Sequence, residues 1–314
     1  MRVLLVKTSS MGDVVHSLPA VTDATNALPG LQLDWVVEES FASIPERHPG
    51  VAQVIPCALR RWRQSPWSTW RSGEWKRFRQ QLQAGEYDCV IDAQGLIKSA
   101  VITRMVRGPK VGLDRESARE PMSARVLDRP VSVARNQHAV TRVRQLFSRA
   151  LGYAMPDGLP DYGLVSNQQC RSLGPGAKLV FFHGTTWATK HWPEFYWAEL
   201  TGLALQAGCQ VHLPWGSEQE HQRAQRIAAN RDGVTVMQRQ GLSGLMDSLS
   251  AMDGFVAVDT GLAHLAAAMA LPGVALYGPT DPVLTGVLGA HAVSVAADFA
   301  CAPCVQERCR YKGG

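Results

Sequence analysis

The sequence predicts an α/β protein of two domains, each a parallel sheet with helices on both faces. Three observations carry this. Apolar runs alternate with stretches of helical period over residues 2–151 and again over 178–277, as βα units do. Between 153 and 178 the periodicity stops, and Met155-Pro156-Asp157-Gly158-Leu159-Pro160 and Gly174-Pro175-Gly176 punctuate the chain. The length, 314 residues, divides into two parts of roughly 150. The expected domains are 1–155 and 178–314. Open sheets of this kind take a ligand at the carboxyl ends of their strands, here in an expected cleft between the two domains.

In the first domain the apolar run ending at Val6 predicts a strand over 2–6, and 14–28 a helix. Strands follow at 31–37 and 51–59. Residues 88–93 read as a strand leading into a helix over 96–106, and an arginine-rich helix spans 137–151. In the second domain strands are expected at 178–183, 210–213, 234–237, 254–258 and 273–277. Helices at 193–206, 218–230, 242–250 and 262–271 alternate with them. The first of these opens on Pro193, a residue suited to an initial helical turn, and the last is alanine-rich.

A hydrophobic content of 46% is enough for a full core. No apolar run reaches the roughly 18 residues of a membrane span. Met1 to Lys7 is too short and too early for a signal peptide, so a cytoplasmic location is expected. Net charge is +5, 32 basic minus 27 acidic residues, which suits anionic ligands or a membrane surface better than nucleic acid. Seven cysteines in such a compartment are expected to be reduced. Cys57, Cys89, Cys170 and Cys209 are scattered and read as structural.

The chemistry concentrates at strand ends. Asp259-Thr260-Gly261-Leu262-Ala263-His264 joins the strand 254–258 to a helix, so free backbone N–H groups converge at a helix N-terminus, a site for a diphosphate. Gly261 lets a phosphate approach the backbone. The alternative is an ordinary βα turn with Asp259 or Thr260 as N-cap. The strand 178–183 leads into His183-Gly184-Thr185-Thr186-Trp187-Ala188-Thr189-Lys190-His191-Trp192-Pro193, where two hydroxyls and Lys190 suit phosphate oxygens; a surface loop is the plainer reading. Glu220, near a helix start, suits ribose hydroxyls or simply solvent. The first strand ends in Lys7-Thr8-Ser9-Ser10-Met11-Gly12-Asp13, which lacks the glycine spacing of a Walker loop or of G-x-G-x-x-G, so a dinucleotide cofactor is not supported. Asp13 is either an N-cap or a general base.

These elements occur together and in order, with Leu213-Pro214-Trp215-Gly216 and Tyr277-Gly278-Pro279-Thr280-Asp281-Pro282. The combination resembles the ADP-heptose:lipopolysaccharide heptosyltransferases of glycosyltransferase family 9, from residue 1 to about 290. The resemblance implies a GT-B fold of two Rossmann-like domains, an inverting transfer of heptose from ADP onto Kdo, and no metal or other cofactor. It implies Asp13 as the base, with Thr185, Thr186, Lys190, Glu220, Asp259, Thr260, Gly261 and His264 holding ADP-heptose; alone, His264 reads as packing. It also implies an acceptor side in the first domain, at Arg60, Arg61, Arg63, Lys98, Arg119 and His138. Kdo carries a carboxylate and lipid A phosphates, which suit cations, although any one of these arginines also reads as a solvated face. The expected partners are ADP-heptose, Kdo2-lipid A and the anionic cytoplasmic face of the inner membrane. A family member acting on heptosylated core is the near alternative, and Arg60-Arg61-Trp62-Arg63 favours the Kdo-directed one. A non-catalytic polyanion-binding protein is the alternative from another class.

Residues 60–79 hold seven Lys or Arg, one Glu and four tryptophans. Trp67, Trp70, Phe78 and Leu82 are expected on one helical stripe, packed on the core or resting on anionic lipid. Near the end, Cys301, Cys304 and Cys309 form C-x2-C-x4-C, a partial ligand set for zinc or iron, and the closing helix usual in a GT-B fold is not legible there.

Overall fold

The structure, a computed structural model, describes residues 1–164 and 174–311. The chain forms two compact units, Met1–Leu164 and Val165–Gly314. The middle of the expected connector, with Cys170, lies outside the described residues. Residues 156–164 belong to the first unit: Tyr162 and Leu164 are buried there, and Gly163, at φ +63°, backs onto His48 where a Cβ would collide with the ring.

The first unit holds β1 (Arg2–Val6), α1 (Met11–Val15), α2 (Leu18–Ala27), β2 (Gln32–Glu38), β3 (Val51–Cys57), α3 (Leu59–Gln64), α4 (Pro66–Arg71), α5 (Glu74–Ala84), β4 (Cys89–Asp92), α6 (Ile97–Met105), β5 (Lys110–Leu113), β6 (Arg129–Val131) and α7 (Ala139–Leu151). Its six strands are all parallel, in the order β3-β2-β1-β4-β5-β6. The second unit holds β7 (Lys178–Phe182), α8 (Glu194–Gln206), β8 (Gln210–Leu213), α9 (Glu218–Ala228), β9 (Val234–Val236), α10 (Leu242–Leu249), β10 (Gly254–Val258), α11 (Gly261–Ala268), β11 (Gly273–Tyr277), α12 (Pro282–Thr285) and β12 (Ala292–Ala296). Its order is β12-β11-β10-β7-β8-β9, again all parallel. Read from β9, this is the order of the first sheet. Both are Rossmann sheets, and the order of strand addition reverses between β1 and β4 in one and between β7 and β10 in the other, with every strand still parallel.

Leu4, Val6, Val36, Phe78, Leu82 and Ile102 fill one core, and Phe181, Trp197, Val211, Leu213, Ile227 and Val258 another. A buried ion pair ties α2 to α7, with Arg144 Nε 2.6 Å from Asp23 Oδ2 and both side chains 7% exposed.

Three expectations need correction. The helix over 14–28 is two helices, because Pro19 brings no N–H to the i−4 carbonyl and its ring crowds that carbonyl, so the chain turns at His16-Ser17. The single stripe through residues 67–82 is broken once, where α4 ends at Arg71 and Gly73, at φ +71°, leads into α5. Phe78 and Leu82 enter the core with Trp62 and Trp75 packed beside them, while Trp67 and Trp70 point away from it. The strands β5, β6 and β12 were not expected.

Candidate functional site

In each unit, polar side chains gather across the point where strand order reverses. In the first, the loop after β1 meets the loop after β4. Lys7 Nζ donates to the Ala93 carbonyl at 2.9 Å, and the Thr8 and Ser9 amides donate to Gln94 Oε1 at 3.0 and 3.1 Å. Asp92 ends β4 and accepts from the Gln94 and Gly95 amides at 2.9 and 3.1 Å and from Ser99 Oγ at 2.9 Å. Burial pushes its carboxyl up, and those bonds oppose the shift.

Asp13 is the third residue of α1, not its N-cap; Ser10 holds that place. Asp13 Oδ2 accepts from the Ser10 amide and hydroxyl, each at 2.8 Å, and Oδ1 lies 3.5 Å from Lys7 Nζ. The crowded loop raises the carboxyl's pKa, but the Lys7 charge and the Ser10 donors outweigh this and hold it at about 2. The side chain keeps 43% of its surface, so water or a hydroxyl reaches it. Lys98 Nζ donates to Ser9 Oγ at 2.5 Å, and burial lowers its pKa.

The other residues expected on an acceptor side differ in what they touch. Arg60 is exposed and lies over the Phe41 ring. Arg61 is held by two carboxylates, Glu39 at 3.0 Å and Glu74 at 2.8 Å. Arg63 and Arg119 are exposed. Arg119 sits beside the loop after β4, where the Glu120 amide donates to the Gly95 carbonyl at 3.0 Å. His138 caps α7, its Nδ1 accepting from the Val140 amide at 3.2 Å, and its ring meets His16 edge-on at 5.7 Å.

In the second unit, the loop after β7 meets the loop after β10. Asp259 is the hub. Its Oδ2 lies 2.7 Å from Lys190 Nζ and accepts from Thr280 Oγ1 at 2.6 Å, and its backbone carbonyl accepts from Thr185 Oγ1 at 2.9 Å. The ion pair is mostly buried, with 16% of Lys190 and 8% of Asp259 exposed. Lys190 also lies 4.6 Å over the Trp187 ring. Thr260, next to Asp259, is the N-cap of α11 and makes no side-chain capping bond, so the cap side chain leaves the first-turn amides of α11 to other acceptors. His264, one turn into α11, is buried with Nε2 4.0 Å from Asp259 Oδ1. Thr186 is exposed beside Thr185.

Glu220 stands slightly apart. Its Oε2 accepts from the Gly216 and Ser217 amides at 2.8 and 3.0 Å, closing a capping box at the start of α9. Its Oε1 lies against Gly184, where a Cβ would come within 2.3 Å of it. A cavity of ≈ 240 Å³ opens beside the hub, lined by Lys190, Trp192, Val258, Leu276, Tyr277 and Val295 among others.

Thr280, which joins the cluster through Asp259, was not expected among the candidate site residues. A threonine two residues beyond Gly278, in a loop following a strand, was the available signal. The cysteine-bearing segment packs on this same region: the Val305 amide donates to the Pro279 carbonyl at 2.7 Å, and Thr189 Oγ1 to the Gln306 carbonyl at 2.6 Å. Among the described residues no group of three or more His, Cys, Asp or Glu side chains is placed to hold a metal ion. Cys57, Cys89 and Cys209 are buried, and burial pushes the Cys57 thiol up to about 12 and Cys89 to about 11, which keeps both inert.

Two Rossmann sheets in one chain, each with a polar cluster across its switch point, are the architecture of the GT-B glycosyltransferases. The family profile described as glycosyltransferase family 9 (heptosyltransferase) matches residues 75–313. Lipopolysaccharide heptosyltransferase 1 of Pseudomonas aeruginosa is 55% identical over 314 residues, covering 99% of this chain and 88% of that one. The solved structure of E. coli heptosyltransferase WaaC with ADP superposes with a TM-score of 0.88 at 47% identity, over 95% of this chain and 93% of that one. Lipopolysaccharide heptosyltransferase 2 of Salmonella typhimurium is more distant, 26% identical over 309 residues, covering 91% of this chain and 85% of that one. The chain belongs to glycosyltransferase family 9.

Proposed function

We propose that this chain is an inverting heptosyltransferase that moves L-glycero-D-manno-heptose from ADP-heptose onto the first Kdo of the lipopolysaccharide inner core, working at the cytoplasmic face of the inner membrane. The observation that carries the reading is the Lys190–Asp259–Thr280 hub beside the open N-terminus of α11. A diphosphate needs a cation and N–H donors; Lys190 lies on Asp259, and the uncapped start of α11 follows Asp259 by one residue at the switch point, which supports the reading. Thr185 and Thr186 add hydroxyl donors, Gly261 admits the phosphate, Glu220 and His264 complete the donor side, and Lys190 neutralises the leaving ADP.

The acceptor belongs to the first unit in this proposal, with Arg60, Arg61, Arg63, Lys98, Arg119 and His138 matching its negative charges. Arg61 is already paired with Glu39 and Glu74, so it would exchange one carboxylate for another. Asp13 is the base. A carboxylate held at about 2 is ionised throughout the physiological range, and as a weak base it takes the hydroxyl proton late, as the bond to the anomeric carbon forms. One displacement by one hydroxyl inverts the configuration at that carbon. No helix among the described residues is long and apolar enough to cross a membrane, so membrane residence would be by surface attachment.

The test is ADP release from ADP-heptose, measured without acceptor, with Kdo2-lipid A and with an already heptosylated core. Release stimulated by Kdo2-lipid A alone supports the proposal. Stimulation only by the heptosylated core would make this a second-heptose enzyme. No release in any arm, with polyanion binding retained, would make it a binding protein.

A further inference from the structure

Seven of the nine tryptophans of this chain are wholly or mostly buried: Trp35 and Trp197 lie in the cores, and Trp62, Trp75, Trp187, Trp192 and Trp215 are partly covered. Trp67 and Trp70 are 77% and 74% exposed. They stand on α4, their rings perpendicular at 6.3 Å and packed on each other rather than on the fold. The helix is anchored through Thr69, which is buried and donates to the Ser65 carbonyl at 2.9 Å. Two indoles held in water by an anchored helix expose a large apolar area that folding does not use.

The charges around them are sorted. From Gln64 to Trp70 no residue is charged. Beyond that apex Arg71, Lys76, Arg77 and Arg79 are all exposed, and Arg60 and Arg63 are exposed before it. The one acid of residues 60–79, Glu74, is neutralised by Arg61. An uncharged, tryptophan-tipped apex rimmed by cations fits one partner chemistry: an anionic bilayer, with indoles at headgroup depth and basic side chains on lipid phosphates. A protein partner would call for a broader apolar surface and mixed charge.

We propose that α4 is the membrane contact of this protein, with Trp67 and Trp70 inserted into the headgroup layer of an anionic phospholipid surface. This deepens the proposed surface attachment, and its binding arm needs neither donor nor acceptor. The short length of α4, six residues, makes it a wedge rather than an in-plane amphipathic helix. The acceptor cations at Arg60 and Arg63 precede the wedge directly, so docking would bring them to the level at which a lipid-linked sugar emerges.

The experiment uses the full chain and its W67S/W70S variant, co-sedimented with vesicles of phosphatidylglycerol and phosphatidylethanolamine, and with phosphatidylcholine vesicles as control. Both residues are exposed, so the variant is expected to keep the wild-type melting temperature. The wild type should bind the anionic vesicles, and the variant about tenfold or more weakly. Lys76→Glu/Arg79→Glu should weaken binding to a similar degree and reduce its salt dependence. Brominated lipids should quench wild-type tryptophan emission and leave that of the double variant largely unquenched. Turnover on a deacylated, water-soluble Kdo acceptor should be equal in wild type and W67S/W70S, and turnover on vesicle-embedded acceptor should fall only in the variant. Equal vesicle binding by the two proteins overturns the proposal. An equal loss on soluble acceptor also overturns it, by assigning the tryptophans to the sugar site. Failure of the transferase reading itself would appear as absent turnover in the wild type on either acceptor, with the vesicle result standing separately.

Discussion

Lys190→Ala removes one half of a mostly buried ion pair at the hub of the second unit. Two costs follow. Without ligand, the Asp259 carboxylate, 8% exposed, keeps the Thr280 hydroxyl but loses its counter-charge. Breaking such a pair from one side costs about 3–5 kcal/mol of stability when burial is complete, and less here because 16% of Lys190 meets solvent. With ligand, the diphosphate loses a charge-assisted hydrogen bond, about 1.5–3 kcal/mol, so ADP affinity falls roughly 10- to 150-fold. The uncompensated Asp259 then repels the phosphate as well. Asp259→Asn in the Lys190→Ala background removes that repulsion, so the double variant should bind ADP more tightly than Lys190→Ala alone and melt at a higher temperature. Titration calorimetry with ADP, without acceptor, reads the first effect, and thermal melts read the second. Unchanged ADP affinity in Lys190→Ala would refute the assignment of the hub to the diphosphate. A double variant no better than the single one would refute the charge argument.

Asp13→Asn should lower kcat by roughly 10²–10⁴-fold and leave ADP-heptose affinity nearly unchanged, and wild-type kcat should show no acidic limb above about pH 4, because the carboxyl is held at about 2; near-normal turnover would leave Asp13 as a capping-box residue only. Thr280→Val should weaken ADP-heptose binding by loosening Asp259, and Thr280→Ser should restore it, as read from the donor KM. Asp23→Ala leaves Arg144 buried without its partner and should cost about 3–5 kcal/mol in urea unfolding, with no change in donor KM. Stability should fall between pH 6.5 and 4. Burial lowers His48 to about 4, and burial with the Arg223 charge does the same for His183. The unfolded chain therefore takes up protons first, and stability, full above pH 6.5, declines by roughly 2 kcal/mol per histidine at pH 5; urea melts at pH 7.5 and 5 check this, and a flat response would contradict it.

The central strands are legible in the sequence because both their faces are buried. The runs ending at Val6 and Val258 are unbroken apolar stretches, and so are those of β7 and β11. The missed strands lie at a sheet edge or next to one, and they are short or interrupted. Lys110-Val-Gly-Leu113 and Arg129-Pro-Val131 carry a glycine and a proline, and Ala292–Ala296 is mostly half-exposed or open, so none makes an apolar run. The polar clusters were legible as residue types at strand ends. Their pairing was not, because Lys190 and Thr280 reach Asp259 over gaps of 69 and 21 residues, and only the strand order brings those loops together. The tryptophan stripe failed for a local reason. A period-3.6 reading has no term for the left-handed turn at Gly73, which re-aims everything after it.

The most direct measurement is the structure of the transfer product. Incubated with ADP-heptose and Kdo2-lipid A, the protein should yield acceptor carrying one added heptose, with the anomeric configuration at the new bond inverted relative to the donor, as one displacement assisted by one base requires. Proton NMR of the isolated core sugar reads that configuration. Inversion, lost together with turnover in Asp13→Asn, is the predicted result. Retention, or free heptose in place of a glycosylated acceptor, would contradict it.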